Sequence, residues 1–147
     1  MSKKRKYVLL ALGGIVLVAA GTAYYLYNKP AISVKDADAP KVTATELYET
    51  FVKDSTIAKK NYTNKILEVS GIIGSVTKNQ QQQPVVLLST KTAGAAVNCT
   101  LEGPALNLLP GKTISLKGIC NGIGEGDAEL GIFGDVYLVR CYVSNDD

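Results

Sequence analysis

Tyr7 to Tyr27 is a run of 21 residues without a charge, and Lys3, Lys4, Arg5 and Lys6 stand directly before it. At about 1.5 Å per residue the run makes roughly 31 Å of helix, the thickness of a bilayer's hydrocarbon core. The expectation is a single-pass transmembrane helix. Four cations on one side hold that side in the cytoplasm, so residues 28–147 are expected outside. Lys29 is the first charge after the run, and Pro30 is expected to stop the helix. Tyr24, Tyr25 and Tyr27 fall where an outer aromatic belt belongs. A cleaved signal peptide is the rival reading, with Val8–Val18 as its apolar region and Ala19, Gly21 and Ala23 as small residues for cleavage. Apolar character continues through Tyr24–Tyr27, which favours a retained anchor. Both readings place the rest of the chain outside the cytoplasm. Gly13, Gly14 and Gly21 would let a neighbouring helix approach closely, although small residues are common in membrane helices anyway.

The overall charge of +3 changes meaning once this segment is set apart. Four of the 16 Lys and Arg lie at 3–6, while all 13 Asp and Glu lie beyond residue 28. Twelve cations against thirteen anions leave the exported part at −1. It lacks the basic footprint that draws a protein to phosphate backbones. The chain has no His, and so lacks the commonest general base and metal ligand.

Residues 28–42 carry two prolines, small residues and mixed charge, and read as a linker spanning about 20 Å as a flexible coil. Thr43-Ala-Thr-Glu46 fits a capping box and predicts a helix start. Leu47, Phe51, Ala58 and Tyr62 continue one apolar face, with Asp54-Ser55 a candidate break into two helices. From residue 65 the pattern becomes that of strands. Ile66–Thr77 is the first, with Leu67, Val69, Gly71 and Ile73 on one face. Pro84–Ser89, Ala95–Leu101, Thr113–Cys120 and Phe133–Val143 follow. Asn79–Gln83 is a polar loop, Glu102–Pro110 holds enough apolar residues for a helical turn, and Asn121–Gly131 is a glycine-rich acidic loop.

A helix and then five short strands, three and two, is the order of an OB-type Greek-key barrel. The predicted fold is therefore mainly β: a five-stranded OB-type barrel with an N-terminal helix, preceded by the transmembrane helix. Gly71 and Gly118 would serve the sharp coiling of such strands, and the helix at 43–60 would plug the barrel end. The expected organisation is a basic tail at 1–6, an anchor at 7–27, a linker at 28–42 and the OB domain at 43–147.

The segments ELYETFVKD at 46–54, NYTNKILEVSGIIGSV at 61–76, VNCTL at 97–101, GKTISLKGICNG at 111–122 and DVYLVRCYV at 135–143 together resemble the bacterial tRNA anticodon-binding-like (tRNA_anti-like) OB-fold family. That group often sits behind a signal or anchor. The resemblance implies the fold, and by analogy nucleic-acid binding, but a fold alone does not confer a function. The residues argue against nucleic acid. OB-folds that hold single strands stack bases on aromatic side chains and steer the backbone with cations. Residues 65–101 contain no aromatic, and only Phe133, Tyr137 and Tyr142 follow.

Cys99, Cys120 and Cys141 alternate with apolar residues and are expected in the core. Val97 and Leu101 share parity with Cys99, Ile114 and Leu116 with Cys120, and Val139 and Val143 with Cys141. A hairpin centred near Asp127 would put Cys120 opposite Phe133–Gly134, on the order of 20 Å from Cys141. The third and fifth strands of an OB barrel run parallel, so Cys99 and Cys141 are the preferred disulfide pair. Zinc has no support without His or a close Cys pair. Glu125, Asp127 and Glu129 concentrate oxygen ligands in one loop, but their spacing fits no EF-hand, and a solvated acidic turn is the plainer reading. No nucleophile has a base partner in the sequence, and Asp135 with these three carboxylates has no evident substrate pocket.

These readings lead to a non-enzymatic binding or interaction module without a cofactor. It would be anchored in a bacterial cytoplasmic membrane, N-terminus inside, with its domain facing the periplasm or exterior. Its expected partners are the membrane and other membrane-protein subunits. The alternatives are a single-strand nucleic-acid binder and a calcium- or ligand-responsive envelope sensor.

Overall fold

The computed structural model describes residues 2–28, 33–127 and 129–144. The chain divides into two compact units, Met1–Ile32 and Ser33–Asp147. Lys29 and Pro30, expected to follow and stop the anchor, lie outside the described residues.

The first unit is one helix, α1 (Lys3–Asn28). It is long and apolar enough to cross a membrane. It has no apolar stripe to bury, because apolar residues occupy every side, and none of its residues is buried. The four cations form its first turn and a little more rather than a separate tail, and the Ser2 carbonyl accepts the Arg5 N–H at 2.9 Å.

The second unit begins before the sequence pattern suggested. Val34 is buried, and Lys41–Thr43 forms a short strand, β1, within the stretch read as linker. Thr43 then caps α2 (Ala44–Lys53). Its hydroxyl accepts the Glu46 N–H at 3.1 Å, and Glu46 Oε2 accepts the Thr43 N–H at 3.0 Å. The chain breaks at Asp54 as expected. That residue ends α2, and its Oδ1 accepts the N–H groups of Thr56 and Ile57 to start α3 (Ser55–Tyr62).

Five strands close the barrel: β2 (Ile66–Lys78), β3 (Pro84–Ser89), β4 (Ala96–Leu101), β5 (Thr113–Ile123) and β6 (Val136–Val143). The order is β1-β2-β3-β4-β6-β5, with β5 returning to β2. The long β2 serves two neighbours. Ile66–Ile72 pairs with β5, and the strand then curls so that Ile73–Lys78 pairs with β3. β1 runs parallel to β2 over Glu68–Ser70, on the stretch that β3 does not reach. β4 and β6 are parallel, as an OB barrel requires.

One core fills the barrel. Leu67, Val69, Val86, Leu88, Val97, Leu116 and Leu138 point inward, and Ala44, Leu47 and Phe51 of α2 enter the same cluster. The helix thus plugs the barrel. Gly71 permits this: a Cβ there would lie 3.0 Å from Ala44 Cβ, so its reason is the close approach of α2. Glu68 is buried on β2, where Ser144 Oγ donates to it at 3.1 Å and Lys41 Nζ of β1 lies 3.6 Å away. Glu102–Pro110 forms turns in place of the expected helical turn, with Ala105 and Leu108 packed on the core.

The β5–β6 hairpin differs from expectation in register. Cys120 pairs with Leu138, not with residues 133–134, because the turn is centred beyond Asp127; an Asp127–Ile132 bridge closes it. A bulge sits at Arg140, whose φ is 53°. It resets the alternation, so Val136, Leu138 and Cys141 are all buried, while Val139 is partly exposed and Val143 exposed. The parity assigned to Cys141 from the sequence is corrected by this extra residue.

Candidate functional site

The strand order brings two loops to one barrel end. Asn79–Gln83 joins β2 to β3, and Glu102–Lys112 joins β4 to β5. Between them lies an open groove of about 660 Å³. Lys78, Gln82, Gln83 and Glu102 form its polar rim over Pro84, Leu101 and Pro104. Asn79 fixes the first loop: its Oδ1 accepts the N–H groups of Gln81 and Gln83, and its Nδ2 donates to Gln83 Oε1 at 2.9 Å. A second groove of about 450 Å³ shares Leu101, Gly103 and Pro104 and runs on to Tyr142 and Val143. One ammonium, one carboxylate and two amides above an apolar floor suit hydrogen bonding to an extended polar chain. The sequence showed the polar loop but not the groove. Knowing that both loops leave the same barrel end would have found it.

The carboxylates of the acidic loop do not converge. Asp127 Oδ1 accepts the N–H groups of Glu129 and Leu130, which makes it a turn-former. Asp135 Oδ1 accepts the Ala96 N–H at 3.0 Å and ties the loop to the start of β4. Among the described residues, no three His, Cys, Asp or Glu side chains gather to hold a metal ion. The same loop exposes Leu130, Ile132 and Phe133, and Tyr137 is exposed on β6. These aromatics do not form a stacking platform on β2, β3 or β4, which carry none.

The three cysteines are buried in the core. Burial pushes the Cys120 thiol up, and the Gly122 backbone partly opposes this. The Cys141 thiol beside it and burial together hold the Cys99 thiol well above the ordinary range. The expected 20 Å between Cys120 and Cys141 is corrected: Cys120 faces Leu138, three residues from Cys141, a distance of about 10 Å or less. Gly118 is needed here, since a Cβ would collide with Cys141 Sγ. On α1, Cβ atoms built at Gly13, Gly14 and Gly21 meet no other atom within 4 Å.

A closed five-stranded barrel with its helical plug is now joined by a family match: the tRNA_anti-like pattern covers residues 1–130. The chain belongs to the tRNA_anti-like family. The match includes the N-terminal apolar helix as well as the barrel through β5, further toward the N-terminus than the segments that first suggested it. No curated protein matches the chain. Among solved structures it is similar to a putative aspartyl-tRNA synthetase from Leishmania major Friedlin, at 6% identity and a TM-score of 0.44. That similarity covers 84% of this chain and 25% of the synthetase, so the chain spans about a quarter of that protein's length.

Proposed function

We propose that this tRNA_anti-like protein is a membrane-tethered binding module that acts as an accessory subunit of a membrane complex. The observation that carries the reading is α1, which is apolar on every side and begins with four cations. Cations at a helix N-terminus oppose its macrodipole, so Lys3, Lys4, Arg5 and Lys6 serve something other than helix stability. Retention on the cytoplasmic side of a bilayer gives them that role. The domain then lies on the outer face of a cytoplasmic membrane. Gly13, Gly14 and Gly21 leave room for a partner's helix, and the Lys78–Glu102 groove offers hydrogen bonds to a partner's backbone. The amides and single charges that line the groove suit a binding role.

Alkaline carbonate extraction of membranes tests the anchor; release of the full chain into the supernatant overturns it. Extraction in mild detergent tests the subunit role. Co-migration with other membrane proteins above monomer size is expected, and a monomer running alone counts against it. Fluorescence anisotropy with a labelled oligonucleotide at low salt, where electrostatic association is strongest, is expected to show no binding.

A further inference from the structure

The loop Glu102–Lys112 faces two ways. Ala105 and Leu108 pack on the core, while Leu106 and Leu109 are 73% and 56% exposed. Pro104 and Pro110 bracket the two leucines and restrict the backbone on either side. Single exposed leucines are ordinary on a protein surface, but these have apolar company. Leu106 lines the second groove with Pro104, Tyr142 and Val143, and Val143 is itself exposed.

The chain enters the domain at this same place. Lys35 lines the groove beside Leu106. Its carbonyl accepts from Lys117 Nζ at 3.5 Å, and Val34 is buried, so the entering segment is fixed here. Lys35 is seven positions after Asn28, the last residue of α1. Seven residues span at most about 25 Å in any conformation. A second exposed apolar group, Leu130, Ile132 and Phe133, sits on the β5–β6 turn. That turn begins beyond Ile123, six positions along β5 from Lys117, or about 20 Å further from the entry point. It also carries Glu125, Asp127 and Glu129.

We infer that the Leu106–Leu109 loop, with Tyr142 and Val143 beside it, rests in the interfacial layer of the bilayer that α1 spans. This rests on the anchor proposed above. The leucines leave water for the acyl boundary. The Tyr142 ring and the long stem of Lys35 are of the kind that keep a polar tip at headgroup level. Charge adds little, since exposed Lys35 and Lys112 are matched by exposed Asp36 and Glu102. A zwitterionic lipid surface is therefore sufficient. Gly103 and Pro104 belong to both grooves, so docking would open the Lys78–Glu102 groove along the membrane surface, toward partners held in the same bilayer.

The chain has no Trp, so one introduced Trp reports one position. Leu106→Trp, Leu109→Trp, Ile57→Trp and Leu130→Trp variants of the full chain are reconstituted in phosphatidylcholine vesicles, with and without lipid brominated high on its acyl chains. All four positions are exposed, so each variant should fold, with the parent's urea midpoint as the check. The chain should float with the vesicles. Emission from positions 106 and 109 should shift to the blue and be quenched by the brominated lipid, with little change at 57 and 130. A chain that floats while 106 and 109 stay unquenched overturns the docking and leaves the anchor standing. Equal or stronger quenching at 57 or 130 overturns the choice of face. A chain that stays in solution overturns the anchor, and the docking with it.

Discussion

Thr63 shows how a single residue can be at odds with its surroundings. It ends α3, and its hydroxyl is buried without a hydrogen-bond partner, the one such side chain among the described residues. A buried hydroxyl that finds no partner loses its water and regains nothing, at a cost of about 1–3 kcal/mol. Its backbone is extended, with φ −63° and ψ 135°, so a β-branched side chain of the same shape is accommodated. Thr63→Val is therefore expected to raise stability by about 1 kcal/mol, read as a higher urea midpoint at unchanged slope. An unchanged or lower midpoint would show that the hydroxyl is satisfied. Arg140 departs from its strand neighbours in backbone conformation, with a φ of 53°. Its left-handed backbone is the extra residue that aims Cys141 into the core, which an alternating reading of DVYLVRCYV cannot contain.

At the scale of elements, α2 depends on its first turn. Glu46 is exposed, and its carboxylate is held below the ordinary value of 4.5 by the Thr43 backbone N–H, then by the Thr43 hydroxyl, with Lys91 contributing last. A carboxylate lowered on folding contributes stability above its unfolded value, and that contribution is lost as pH falls through the folded one. The cap should therefore weaken below about pH 4.5, and α2 with it. Glu46→Gln, which does not titrate, should flatten the fall of the urea midpoint between pH 4.5 and 3. Thr43→Ala should cost about 1 kcal/mol at neutral pH. A Gln variant that keeps the full acid slope would place that slope elsewhere. This cap was legible from four letters, as was the break at Asp54, because both are local rules. Pro84–Ser89 was legible for the same reason, an apolar run bounded by breakers. β1 was not. It is three residues long, and its partner is the part of β2 left open when that strand curls, which exists only once the barrel closes. The β5–β6 register failed likewise, since two bulges and a turn displaced by two residues are set by packing rather than by local sequence. The groove beneath Gln82 and Glu102 was invisible for a third reason. Its walls come from loops about twenty residues apart, and only the strand order brings them together.

For the whole molecule, the proposed orientation rests on charge asymmetry. Residues 28–147 carry −1 over their length and would add little to orientation, so the four cations in the first turn of α1 hold most of the signal. Each of them would have to cross the bilayer for the helix to insert the other way, and at the membrane's centre a Lys or Arg costs about 2.5–3.5 kcal/mol. Replacing Lys3, Lys4, Arg5 and Lys6 by glutamine removes that barrier and leaves the apolar run intact. Membrane association should then persist, while the population becomes mixed between domain-out and domain-in. Protease added to intact spheroplasts reads this directly. The parent chain should lose its barrel to external protease almost completely, and the glutamine variant should retain a protected fraction that disappears when the membrane is opened. If the variant remains fully accessible, orientation is set by the barrel's own folding outside and not by the cations. The variant also separates address from stability, because removing four positive charges from the positive end of a dipole strengthens the helix. A chain that spans more stably yet faces both ways would show that the basic run is kept for direction, at a cost to the helix that carries it.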